Sequence, residues 1–525
     1  MLYIKITIVI LIYATILVGE NMDSDNSNKP SLARRRFLAQ ALSGGAIAGG
    51  LALTGRAGAS VALSGGEAGQ PGTSGLLDVV IIGAGLAGLT AARDLQKAGC
   101  ESFKVVEARD RVGGRTYNHD LGNGVISEAG GQWIGPGQTA IADLARQLNV
   151  GTFDQYYQGK STYFARGARY AEEVSGGGAS IDHRLAKKLN DLARTVPHEA
   201  PWKAPNAAQL DQLTMADWIL QQGITLSNTD KIGLNASTSL TFGTPPAGVG
   251  LLHYLSWINT ANCDVESLER IEDGAQESRI AGGSQILSIK MAEALGDKLS
   301  LSCPVRKIVD WDKDIVEVHT DQGIIRTRQV IVALNPALCN QIHFSPALPQ
   351  GRAELQKRWP AHAPMRKTVH VYPRPFWREK GLNGQVAPTD GPLIWSYDNS
   401  PPDGSVGVIA AFTRPGQLSH DPAEAQRVLS DIYARALGEE AHHPTQFHDY
   451  DWGKVDPWSL SCIHPIPPRF WTQWGQYLRP PAGRLIWSGT ETADIWAGAM
   501  DGAVRSGQQA ALTALQALNQ TRRSL

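Results

Sequence analysis

The segment LDVVIIGAGLAGLTAARDLQKAGC, Leu77 to Cys100, passes from an apolar β-branched run through a glycine cluster into an Ala/Leu-rich pattern. Val79, Val80, Ile81 and Ile82 predict a buried parallel strand, and the helical spacing of apolar residues from Leu86 to Ala98 predicts a helix. Gly83, Gly85, Ala87 and Gly88 therefore occupy the turn and the first helical positions. The first glycine permits the turn, the second admits a pyrophosphate close to the backbone, and the third lets helix and strand pack, with phosphate at the positive helix end. A glycine turn alone is compatible with a purely steric role. A second apolar run, FKVVEA, ends in Glu107 at the distance where an acidic side chain meets a ribose diol. The unit is read as α/β and dinucleotide-binding, and an acid here favours FAD or NAD over NADP.

The following residues, EARDRVGGRTYN, place Ala108, Arg109, Arg111, Gly113, Gly114 and Arg115 directly after the acid. In this place RxGGR resembles the signature of the flavin-containing amine oxidases and their relatives, the phytoene desaturases and protoporphyrinogen oxidases, which selects FAD. The resemblance is nearest to the monoamine and polyamine oxidase branch and covers nearly the whole chain after residue 75. Four further stretches carry it: EAGGQWIGPGQTAI (Glu128 to Ile141), DGAQESRIAGGSQILSIKMAEAL, KTVHVYPRPFW (Lys367 to Trp377) and LIWSGTETADIWAGAMDGAVRSGQQAA (Leu485 to Ala511). In the last, a strand ending at Ser488 leads through Gly489, Thr490 and Glu491 to an amphipathic helix starting near Met500, a second helix N-terminus aimed at the cofactor.

The resemblance implies a discontinuous Rossmann-type FAD-binding domain of the glutathione-reductase kind with a mixed-sheet α+β substrate domain. The changes of texture place the first at 76–153, 275–346 and 455–520 and the second at 154–274 and 347–454. The cofactor-binding residues it implies are Gly83, Gly85, Ala87, Gly88, Glu107, Ala108, Arg109, Gly114, Arg115, Gly131, Gln132, Trp133, Val305, Trp452, Gly489, Glu491 and Met500. By family spacing Lys367, nine residues before Phe376-Trp377, is the catalytic lysine that holds a water against flavin N5. It would be a buried cation of depressed pKa, with Arg366 facing the other way if this is a strand.

The family's reaction passes a hydride from the α-carbon of an amine to flavin N5, followed by imine hydrolysis and reoxidation by dioxygen to hydrogen peroxide. Two departures bear on it. Counted without gaps from Trp452 to Gly489, the position of the flavin-linking cysteine holds Ser461, with Cys462 one residue later, so FAD is expected to be noncovalent. The two tyrosines that sandwich the amine correspond to Cys462 and Ala499, which leaves room for a bulky or cyclic amine unless tryptophans such as Trp458, Trp496 or Trp133 fill it. An L-amino-acid oxidase, a dehydrogenase passing electrons to a cytochrome-type acceptor, and an idle flavoprotein remain as alternatives.

A chain of 525 residues, 42% hydrophobic and 19% charged, buries a large core and is expected to form two domains. The formal net charge of -1 and the lack of a basic stripe argue against nucleic acid as a partner. A small-molecule amine, dioxygen or another electron acceptor, and a second copy in a homodimer are the expected partners.

Residues 1–59 are read as a leader and 60–75 as a linker. SLARRRFLAQALSGGAIAGGLALTGRAGASVAL carries Arg34 to Arg36, then Phe37 and Leu38, a mild apolar run, and small residues at Ala57 and Ala59. It resembles a bacterial twin-arginine signal, so a periplasmic or otherwise exported protein is expected. MLYIKITIVILIYATILVG competes with it as an N-terminal membrane anchor, unless translation begins at Met22. The five cysteines, Cys100, Cys263, Cys303, Cys339 and Cys462, have no metal or framework spacing and are expected to be reduced and mostly buried. His442 and His443 are read as lacking a carboxylate partner at ligand spacing, and no metal site is expected.

Overall fold

The computed structural model describes residues 75–524 except 166, 175, 179–180, 362–364, 389, 415 and 460–462. The expected leader, the Arg34 to Arg36 cluster, the apolar run from Met1, and the linker apart from Gly75 lie outside the described residues. The elements that position the site are strands β1 (Leu77–Ile82), β2 (Phe103–Val106), β3 (Leu299–Ser300), β4 (Val305–Val309), β5 (Val316–Thr320), β6 (Gly323–Val332), β7 (His343–Ser345), β8 (Arg366–Tyr372), β9 (Leu393–Asp398), β10 (Gly407–Thr413), β11 (Gln446–Asp451) and β12 (Leu485–Trp487). With them come helices α1 (Leu86–Lys97), α2 (Asn228–Phe242), α3 (Val265–Glu269) and α4 (Met500–Ser524).

The first sheet runs β3-β2-β1-β6-β5-β4-β7, and β12 joins the second half of β6. Its inner strands β3, β2, β1, β6 and β12 are parallel. Such strands are covered on both faces, which is why β1 reads as a continuous apolar run rather than an alternation. Val79 and Ile81 pack with Leu89, Leu95, Ala510 and Ala514, beneath α1 and α4. Val80 and Ile82 turn to the opposite face with Val330, Val332 and Trp487. Each of these buried Val, Ile and Leu side chains contributes about 1.5–3 kcal/mol.

The second sheet, order β9-β10-β8-β11, is antiparallel throughout. Beside it lies a three-stranded sheet in which Leu382–Pro388 pairs parallel to Lys160–Ala165, itself antiparallel to Ala168–Glu172. The Ser396 hydroxyl joins the two, donating to Gly384 O at 2.8 Å and accepting from Val386 N at 3.0 Å. The mixed sheet expected from the sequence is thus an antiparallel sheet and a mixed one stitched by a side chain. A helical layer including α2 and α3 stands beside them around Leu185, Leu234, Phe242, Tyr254 and Leu268.

Among the described residues no helix is long and apolar enough to cross a membrane. Cys100, Cys263, Cys303 and Cys339 are free thiols, the last three buried, and Cys462 lies outside the described residues. The reading of His442 needs correction: it pairs with Asp431 and with Glu439, each at 3.2 Å. Asp431 comes from the preceding helix, Pro422–Leu437, and Glu439 precedes His442 by three residues in the same turn. Among the described residues no cluster of three or more His, Cys, Asp or Glu is placed to hold a metal.

Candidate active site

The carboxyl ends of β1, β2 and β6 open into a cavity of about 350 Å³, within the size range of ligand pockets. Gly83 begins the turn at φ +103°, donates its N–H to Val106 O at 2.8 Å, and leaves no room for a side chain, since a Cβ would lie 2.7 Å from Ala333 O. Gly88 is packed more tightly still, a Cβ there falling 1.9 Å from Gly83 O. Gly85 differs from both. Its backbone is extended (φ −79°, ψ 179°), a conformation open to any residue, and a Cβ would meet only Gly114 Cα at 3.8 Å. It is nevertheless the N-cap of α1, with no side chain capping the first helical amides and no acidic residue in the first turn. Open space over uncapped amides is the cradle that a diphosphate fits.

Glu107 follows β2 immediately and is 3% exposed. One carboxylate oxygen accepts Ala84 N at 2.7 Å, and the other accepts Arg109 N at 3.0 Å. Arg109 and Arg111 both bind Asp456, so the turn after β2 is clamped to a segment almost 350 residues downstream. Arg115 forms an ion pair with Glu491 at 2.8 Å, and Asn335 donates to the same Glu491 oxygen at 2.9 Å. Although burial opposes it, the Arg115 guanidinium, helped by the neighbouring His464 and by the Asn335 hydrogen bond, holds the Glu491 carboxyl below its ordinary value. The other Glu491 oxygen is buried without a hydrogen-bond partner among the described residues.

Gly83, Gly85, Ala87, Glu107, Arg109, Gly114, Arg115, Gly131, Gln132, Trp133, Trp452, Gly489 and Met500 all border this one cavity, together with Trp496 and Ala499. Four other expected residues stand elsewhere. Gly88 acts through packing, Glu491 through Arg115, Ala108 is not in the wall, and Val305 is 7% exposed within the β-core. Cys462 and Ser461 lie outside the described residues. Trp452 donates its indole N–H to Ala129 O at 2.9 Å, and Trp496, at φ +54°, donates to Gly137 O at 3.0 Å. Trp257 and Trp458 join Trp133, Trp452 and Trp496 in the wall, together with Tyr397 and Phe412.

Lys367 lies on β8 between Phe412 of β10 and Tyr450 of β11 and is 1% exposed. Its ammonium donates to Gly130 O at 3.2 Å and to Gln132 Oε1, and stands 5.3 Å from the Phe412 ring centre and 5.7 Å from that of Trp133. Gly130, Gln132, Trp133 and Phe412 border the cavity, and Lys367 sits one layer behind them. Its neighbour Arg366 is spent on Asp449 and the carbonyls of Leu418 and Ser419.

The family model described as flavin containing amine oxidoreductase matches residues 86–515. The chain belongs to the flavin-containing amine oxidase family. It is 33% identical over 460 residues to the flavin-containing amine oxidase A of Sus scrofa, covering 84% of this chain and 86% of that protein. The structure resembles that of cyclohexylamine oxidase from Brevibacterium oxydans IH-35A, with a TM-score of 0.77, 32% identity, and coverage of 84% of this chain and 99% of that one. A putrescine oxidase bound to putrescine gives a TM-score of 0.76 at 31% identity over the same shares. This amine oxidase is an FAD-dependent oxidoreductase, and the cavity beneath α1 fits its dinucleotide.

Several residues that shape the amine oxidase site left no mark in the sequence: Asn335, Tyr397, Phe412, Asp456, His464 and Glu269. Each is a single polar or aromatic residue brought in by a distant element; the AsnPro after β6 is the one local signal. Burial lowers four histidines, His253 to about 3 and His119, His370 and His464 to about 4. Burial raises Glu269 in the opposite sense, to about 7. As the pH falls from roughly 6.5 to 4.5 the unfolded chain takes up to four protons on these histidines that the folded one does not, while the folded chain keeps one on Glu269. The net excess in the unfolded state makes stability fall as the pH falls, by at most roughly 4 kcal/mol per unit. Urea midpoints between pH 7 and 5 check this, and a flat profile contradicts it.

Proposed function

We propose that the chain oxidatively deaminates a small amine with dioxygen as the electron acceptor. When bound, FAD supplies the redox chemistry, taking a hydride from the amine α-carbon at N5 and returning the electrons to dioxygen as hydrogen peroxide, while the imine hydrolyses in water. The polypeptide contributes position, charge and dryness. Segments 76–153, 275–346 and 455–520 hold the dinucleotide, and 154–274 and 347–454 build the substrate side.

One observation carries the reading: a buried lysine, Lys367, is held by hydrogen bonds to Gly130 and Gln132 beside a dinucleotide cradle, directly behind the wall of a cavity lined by aromatic rings. A fixed cation there stabilises negative charge as it develops. The aromatic wall excludes water and favours a neutral amine over its ammonium form. Ser461 in place of the linking cysteine supports noncovalent FAD. Against an L-amino-acid oxidase, Arg366 and Arg374 are engaged by Asp449 and Glu379, while the cavity arginines Arg109 and Arg115 are engaged by Asp456 and Glu491. Export through a twin-arginine signal, with folding around FAD before translocation, completes the proposal.

Acid precipitation of the protein purified without residues 1–59 is expected to leave the yellow colour in the supernatant. The untreated enzyme is expected to release peroxide from amines and not from amino acids. A yellow pellet refutes noncovalent FAD, and flavin reduction without peroxide identifies a dehydrogenase with a cytochrome-type acceptor.

A further inference from the structure

Glu269 ends α3 and borders the same cavity as Leu240, Trp257, Leu268 and Tyr397. It is 8% exposed, in a wall that is otherwise largely apolar. One carboxylate oxygen accepts the Ser237 hydroxyl, which is itself 3.2 Å from the Tyr254 hydroxyl. Among the described residues no lysine, arginine or histidine forms an ion pair with Glu269, in contrast to Glu107, Glu128 and Glu491, each of which faces an arginine. A buried carboxylate without a cation is disfavoured unless it is neutralised, and its raised pKa of about 7 is the mark of that cost.

The missing cation has a place to enter, because the carboxylate stands at the cavity. It is separated from Lys367 by aromatic rings: the ammonium lies 5.3 Å from the Phe412 ring centre, Phe412 lies 6.4 Å from Tyr397, and the Glu269 charge acts on the Tyr397 phenol. An amine whose reacting end lies beside Gln132 and Lys367 therefore extends along these rings toward Glu269. On the amine-oxidation reading given above, we propose that Glu269 seats the second, non-reacting cation of a diamine, held in position by Ser237, and so selects diamines over monoamines. The aromatic rings between the two ends accommodate the methylene chain of such a substrate.

The test compares wild type, Glu269→Gln and Glu269→Asp on 1,4-diaminobutane, 1,6-diaminohexane, butylamine, hexylamine and cyclohexylamine. In wild type the diamines are expected to be preferred. In Glu269→Gln the ratio of kcat/KM for diamine over monoamine is expected to fall about 100-fold, chiefly through KM, because one partner of a buried charge pair is removed. Glu269→Asp, which keeps the charge on a shorter stem, is expected to restore part of the preference and to favour the longer diamine. Melting temperature under nitrogen gives a second readout: 1,4-diaminobutane should raise it in wild type and in Glu269→Asp and leave it unmoved in Glu269→Gln. Equal losses on monoamines and diamines overturn the assignment and place Glu269 at the reacting nitrogen. A wild type without diamine preference or diamine-induced stabilisation overturns it as well. Failure of the amine-oxidation reading looks different: no amine reduces the flavin of the wild type, while loss of the diamine-induced stabilisation in Glu269→Gln alone still supports the cation seat.

Discussion

Gly85→Ala is expected to fold and to be colourless. Nothing in the polypeptide requires glycine at this position, because its φ of −79° suits an alanine and the added Cβ would touch only Gly114 Cα at 3.8 Å. The requirement comes from what lies over the α1 amides, where a methyl group displaces the diphosphate that caps them. The expected result is an apo protein that melts near the apo wild type and has lost FAD affinity by at least about 100-fold, equivalent to roughly 3 kcal/mol. Gly88→Ala gives the complementary result. Its Cβ would fall 1.9 Å from Gly83 O, so the turn and α1 must separate and the apo protein itself is destabilised, by about 1–3 kcal/mol or more. Gly151→Ala, a position with open space and no positive φ, is the neutral comparison. The ratio of flavin absorbance to protein, measured beside apo melting curves, separates these cases. A yellow Gly85→Ala enzyme with wild-type affinity would refute the assignment of the cradle.

Lys367→Met is expected to slow reoxidation by dioxygen by about 10²- to 10³-fold, the loss typical when one preorganised charge-stabilising group is removed. Reduction by amine under nitrogen is expected to change much less, because the lysine stands a layer behind the cavity wall instead of contacting the amine. Met fills a similar volume but donates nothing to Gly130 O and Gln132 Oε1, so a stability loss of about 1–3 kcal/mol accompanies the kinetic effect. Gln132 also donates to Asn399 at 2.7 Å, and that bond limits how far its side chain relaxes. Stopped-flow mixing of the reduced enzyme with oxygenated buffer reads the step directly. Unchanged reoxidation would make Lys367 a structural residue only.

The parts of the site built from contiguous residues were legible in the sequence. β1, its glycine turn and α1 lie in one stretch, and the acid after β2 follows at fixed spacing, because a tight turn and a close backbone approach demand particular residues at particular offsets. The terminal strand and helix, β12 and α4, fall where expected for the same reason, and Lys367 sits on the expected strand with Arg366 turned to other partners. What spacing could not supply were the partners of charged groups. The Asp456 clamp on Arg109 and Arg111 and the Arg115–Glu491 pair join elements far apart in the chain. Val305, carried over from the family motif, has its side chain packed in the β-core outside the cavity wall.

The sequence by itself determined the dinucleotide turn, the family and the position of the lysine, since each follows from local backbone geometry written in neighbouring residues. Only the tertiary structure decided which cavity charges are neutralised and that, among the described residues, no cation pairs with Glu269. That distinction depends on burial and on through-space distances between α3, β9 and β10, and these set the electrostatics of the cavity around Glu269.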